Sequence, residues 1–120
     1  MISVTPYGFK IFLAAQTQAI RNLHLYTESG ELSEHGYVPI PIQPSQWSDG
    51  KYPEQVWEFD SGEPVDVLGY YVTDEAGKLL YSEAFQKRND AGDVIDAPML
   101  IKNNGDRIAV GLNLTLLGRG

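Results

Sequence analysis

Along residues 107–116 the chain alternates without interruption. Ile108, Val110, Leu112, Leu114 and Leu116 are apolar, with Arg107, Ala109, Gly111, Asn113 and Thr115 between them. Side chains two apart lie on one face of a strand, whereas a helix would scatter these five around its circumference. A strand with one apolar row must lay it against a second apolar surface, which restricts the chain to layered or closed sheets.

The same period recurs upstream. Leu23 and Leu25 alternate with His24 and Tyr26 before the turn-forming cluster Thr27-Glu28-Ser29-Gly30. Residues 54–60 set Gln55, Trp57 and Phe59 against Val56 and Glu58, and Ser61-Gly62-Glu63-Pro64 ends the run. Residues 65–73 are apolar on both faces, with Val65, Val67 and Tyr71 opposing Leu68, Tyr70 and Val72. That is the pattern of a central strand covered on both sides, in which Gly69 marks a bulge or the close approach of another backbone. A short loop containing Gly77 joins it to residues 79–85, which predicts an antiparallel hairpin. Residues 87–96 read as a polar, mobile loop, and Asn103-Asn104-Gly105-Asp106 as a turn.

Two prolines in Tyr37-Val38-Pro39-Ile40-Pro41-Ile42 place that segment at a sheet edge, because proline cannot donate to a ladder. Pro44, Trp47, Gly50 and Pro53 continue it as an extended loop. Residues 6–18 read as a short helix or docking arm. The expected fold is all-β: an antiparallel β-sandwich or small β-barrel, with residues 1–20 as an N-terminal arm or short helix and 21–120 as a single β-domain.

In 120 residues, 42% hydrophobic and 21% charged, one core can form without metal or disulfide staples. The chain has no cysteine, and therefore no disulfide, thiolate metal site or cysteine nucleophile. Sixteen acidic against nine basic residues leave a net charge of −7. That balance argues against nucleic acid as a partner, since affinity for phosphates rests on neutralising their charge, and it suits docking on a basic surface. No stretch approaches the length needed to cross a bilayer, so no membrane partner is expected and synthesis is expected in the cytoplasm.

The residues that carry chemistry form no recognisable site. His24 and His35 lack ligand spacing with another histidine or a carboxylate. Asp90, Asp93 and Asp96 lack the alternate spacing and distal glutamate of a calcium loop. Glu54, Glu58, Asp60 and Glu63 lie near Trp57, but 16 acidic residues in 120 produce such groupings without purpose. No serine has a nucleophile-elbow context, and no glycine loop suits a phosphate. We therefore expect no enzyme, no cofactor and no metal. The one unusual concentration is Tyr37, Pro39, Pro41, Pro44, Trp47, Tyr52 and Pro53. Of these, Tyr37, Pro39, Pro41, Trp47 and Tyr52 are candidates for a surface that contacts protein or sugar. The alternative is that Trp47 and Tyr52 cap the open end of the core.

Val67-Leu68-Gly69-Tyr70-Tyr71-Val72-Thr73-Asp74, followed by Gly77-Lys78-Leu79-Leu80-Tyr81-Ser82-Glu83-Ala84-Phe85, resembles a hairpin that recurs in small virion proteins of tailed bacteriophages. Leu23-His24-Leu25-Tyr26, Gly36-Tyr37 and Asn104-Gly105-Asp106 with the strand after it look like the same layout. The resemblance implies a structural role in the virion, as a head decoration or cement protein on the major capsid protein, with a homo-oligomer on the particle. The rival it leaves is a tail or baseplate component, including a carbohydrate-binding receptor module using Trp47, Tyr52 or Trp57 as stacking platforms.

Overall fold

A computed structural model describes residues 17–114. In strand β1 (Asn22–Thr27), Leu23 and Leu25 are buried and His24 and Tyr26 are half-buried on the opposite face. Two short strands share one edge of β1. The first, β2 (Gly30–Glu31), pairs with its Tyr26 end, and β3 (Ile40–Pro41) pairs with its Asn22 end. Pro41 thus sits in an edge strand, where a missing N–H costs little.

The other edge of β1 pairs antiparallel with a strand that the sequence predicts as one run over 65–73. It is interrupted at Leu68 into β5 (Val65–Val67) and β6 (Gly69–Thr73). Leu68 donates its N–H to the Tyr26 carbonyl at 2.9 Å and accepts from the Phe85 N–H at 2.9 Å. The interruption shifts the alternation by one residue, so Val67, Tyr70 and Val72 all reach the core. Gly69 marks the predicted close approach: a Cβ there would lie 2.7 Å from the Tyr26 Oη and 2.8 Å from the Ala84 Cα, with the Glu83 carbonyl oxygen closer still.

Only β6 pairs with β1, and β5 belongs to a separate two-stranded sheet. The predicted hairpin partner, β7 (Leu79–Ala84), pairs antiparallel with β6, and β10 (Met99–Ile101) pairs antiparallel with β5. Between them the chain leaves the sheet as a second hairpin, β8 (Gln86–Arg88) and β9 (Val94–Asp96). This corrects the expectation of a mobile loop over 87–96. Its turn repeats the chemistry of the preceding one. Asp74 Oδ1 accepts from the N–H groups of Ala76 (3.0 Å) and Lys78 (2.9 Å), and Asn89 Oδ1 accepts from those of Ala91 and Asp93, both at 3.0 Å. Gly77 and Gly92 supply the left-handed residue of each turn, at φ 83 and 84°.

The second layer is a ribbon of β4 (Lys51–Glu58) and β11 (Arg107–Asn113). Ile108, Val110 and Leu112 are buried while Arg107, Ala109 and Gly111 are exposed, as the alternation requires. The strand β4 begins earlier than the sequence predicts and takes in Tyr52 and, from the expected loop, Pro53. Register shifts between Val110 and Leu112, so that Pro53 and Glu54 stand opposite Gly111 alone. This bulge leaves Pro53 without a ladder bond to make. A single 3₁₀ turn, Pro44–Gln46, precedes β4. The ribbon shares one core with the sheet: Tyr52, Trp57, Phe59, Ile108, Val110 and Leu112 cluster with Leu23, Leu25, Val67, Val72 and Ile101. The result is an all-β, antiparallel, layered domain whose described strands do not close into a barrel. The expected arm over 1–20 lies outside the described residues except for its end, where residues 17–19 are helical.

Candidate functional site

Pairing of β1 with β2 and β6 gathers polar and aromatic side chains on the outer face of the sheet. His24 Nδ1 lies 2.7 Å from Glu31 Oε2, and its Nε2 lies 2.9 Å from Thr73 Oγ1. The imidazole stacks on Tyr71, directly opposite it in register, with centroids 4.4 Å apart and planes 3° from parallel. The Tyr37 hydroxyl donates to the same Glu31 oxygen at 2.7 Å and accepts from the Leu25 N–H at 3.0 Å. Beside this network Tyr26, Gly30, Glu31, Tyr71, Leu79 and Ser82 line a shallow groove of about 430 Å³. His24 is therefore not the isolated strand histidine the sequence suggests, because the β1–β2 turn returns a carboxylate to it.

The order Glu31, His24, Thr73 is that of a carboxylate–imidazole–hydroxyl relay. Thr73 is only 4% exposed, and its hydroxyl is engaged by the His24 ring. The triad instead ties β2, β1 and β6 together. Burial acts to raise the Glu31 carboxyl, but hydrogen bonds from Tyr37 and His24 outweigh it and hold the group below its ordinary 4.5. The stability this carboxylate contributes is complete above that ordinary value and is lost as pH falls through the lowered one. Glu31→Gln is expected to flatten the acid side of a melting-temperature profile. An unchanged acid limb in that variant would show that the network contributes nothing.

The proline and aromatic loop divides by side-chain type. Tyr52 is 5% exposed, accepts a hydrogen bond on its hydroxyl oxygen from the Gln43 N–H at 2.8 Å, and meets half-buried Trp47 edge-on at 5.1 Å. Trp57 is likewise 5% exposed and donates its indole N–H to the Val38 carbonyl at 2.9 Å. Tyr37 is half-buried and occupied by Glu31. Pro39, Pro41 and Val38, the last at 67%, face solvent. The indole N–H of Trp47 is buried and has no acceptor among the described residues.

Exposed apolar side chains that the sequence does not single out lie further along the chain. Eight large apolar side chains are exposed among the described residues, and four of them, Val94, Ile95, Met99 and Leu100, fall on β9 and β10. Each of these strands pairs on one side only, β9 with β8 and β10 with β5. Apolar side chains beside unpaired backbone groups are what a protein partner can cover. The signal was present in Val94, Ile95, Met99 and Leu100 themselves, but it was masked by the polar residues of the preceding turn. Among the described residues no group of histidine and carboxylate side chains is placed to hold a metal ion. No family model, no curated protein and no solved structure matches this chain.

Proposed function

We propose that this chain is a structural component of a tailed-phage virion, a head decoration or cement protein that docks on the major capsid protein at the outer surface of the shell. The sequence resemblance supplies the virion setting. The observation that carries a docking role is the exposure of Val94, Ile95, Met99 and Leu100 on β9 and β10, strands that each pair on one side only. Covering such side chains gains about 25 cal/mol for each Å² of apolar surface removed from water. A net charge of −7 favours a basic partner surface. On a repeated lattice, modest contacts per site suffice when several are made at once, with neighbouring copies side by side on the particle.

The test uses exposed positions, because substitutions at Tyr52 or Trp57 would disturb the core. The double variant Met99→Asp, Leu100→Asp is expected to keep its β-type circular dichroism and to lower occupancy on assembled heads at least about tenfold, a loss of roughly 1.4 kcal/mol per site. Undiminished occupancy would remove β10 as the docking edge. Quantitative mass spectrometry of particles sets the location: hundreds of copies fit decoration, and a handful would transfer the protein to the tail or baseplate. Failure to bind heads, together with retention on a polysaccharide column, would favour the receptor module instead.

A further inference from the structure

One buried polar group among the described residues is a histidine that the outer-face network does not involve. His35 is 6% exposed, and its ring nitrogens both face backbone carbonyls: Nδ1 is 2.8 Å from the Asp60 oxygen and Nε2 is 2.7 Å from the Glu63 oxygen. A neutral imidazole has one N–H and one lone pair, so it can satisfy one of these carbonyls and must turn a lone pair on the other. Only the imidazolium donates to both. The surroundings are shaped to hold it there. The Asp60 N–H donates back to the His35 carbonyl at 2.9 Å. Gly62 lies flat against the ring, where a Cβ would come within 2.9 Å of Cε1. His35 itself takes a left-handed backbone at φ 62°, a conformation uncommon outside glycine that the surrounding contacts must maintain.

The charged groups around the ring are mostly acidic. Glu34 and Asp106 favour the cation through space, and Asp60 and Glu63 present their carbonyls. The neighbouring basic residue, Lys102, engages through its carbonyl, which accepts the Gly62 N–H at 3.1 Å. The segment so held, residues 60–63, leads directly into β5, whose antiparallel partner is β10 with Met99 and Leu100.

We propose that His35 is a protonation-dependent clamp: as an imidazolium it fixes residues 60–63 and with them the β5–β10 edge, and on losing its proton it gives up one of its two bonds and loosens that segment. The clamp stands on its own geometry, and only its effect on partner docking rests on the role proposed above. The Asp60 carbonyl raises the His35 pKa, burial opposes this, and the Glu63 carbonyl with Glu34 and Asp106 leaves the balance above the ordinary 6.5. The contribution to stability is therefore complete below 6.5 and is lost as pH rises through the raised folded value.

The test is nitrogen-15 NMR of the full chain. Both His35 ring nitrogens are expected to carry protons at a pH below 6.5, titrating together above that value. Over the same range, amide exchange at residues 60–63, corrected for its intrinsic pH dependence, should accelerate several-fold. His35→Gln is expected to abolish the pH dependence of that exchange, and His24→Gln to preserve it. A single neutral tautomer in acid, a titration at or below 6.5, or pH-independent exchange at 60–63 would each overturn the clamp. If His35→Gln does not fold, the ring titration of the unaltered protein decides alone. Weaker binding to heads at high pH would extend the clamp to docking. PH-independent binding beside a confirmed titration would confine it to stability and leave the docking role untouched.

Discussion

Gly69→Ala is expected to destabilise the protein by roughly 3 kcal/mol and to lower its melting temperature by more than about 10 °C, while Gly111→Ala leaves it unchanged or slightly more stable. Both glycines sit in strands, so propensity alone would rank the two changes alike. Space separates them. A Cβ on Gly69 meets the Glu83 carbonyl, the Ala84 Cα and the Tyr26 hydroxyl, whereas one on Gly111 meets nothing within 4 Å. Two of the Gly69 neighbours are backbone atoms of β7, which cannot withdraw without breaking the β6–β7 ladder. The tyrosine hydroxyl could move, but the two backbone neighbours remain. Thermal unfolding of the two variants measures the difference directly. Equal melting temperatures would mean that β6 and β7 are not in this register.

Phe59→Ala is expected to cost about 3–5 kcal/mol, a large fraction of a typical domain's total stability, and Val56→Ala less than about 0.5 kcal/mol. Phe59 is 1% exposed and Val56 is 50% exposed, although they are three residues apart. Phe59 also fixes the chain around it: its N–H donates to the Asp106 carbonyl at 2.8 Å, and its own carbonyl accepts from Gly105 at 2.8 Å. Removing the ring leaves a cavity in the shared core, next to backbone that these bonds hold in place. Urea unfolding midpoints would read both effects. A one-residue slip of β4 against β11 would exchange the two outcomes, because it moves every side chain to the other face.

How far such features could be read in advance depended on how local they were. The hairpin of β6 and β7 was legible because a five-residue turn with Asp74 and Gly77 specifies its own geometry. The turn of Asn89 and Gly92 carries the same information and was passed over, since its acidic neighbours made the segment look merely solvated. The inward rows of β1 and β11 were also legible, as was Gly69 as a place of close approach. The interruption at Leu68 was not, because nothing in residues 65–73 shows where neighbouring strands will claim its N–H and carbonyl. The contact residues were named by type, and packing divided them: Tyr52 went to the core, Trp47 and Tyr37 packed half-buried against it, and Pro39 and Pro41 went to the surface.

The sequence by itself determined the all-β character, the buried face of the main strands and the position of the tightest turns, because period-two alternation and turn chemistry are properties of adjacent residues. Tertiary structure alone decided what each polar side chain meets. Glu31 and Thr73 reach His24 only because β2 and β6 flank β1, and the two carbonyls reach His35 from residues 25 and 28 positions away. The same holds for the exposed apolar side chains of β9 and β10, strands that each pair on one side only. Partners of this kind follow from strand order and register, and those are fixed by the burial of a core to which residues throughout the chain contribute together.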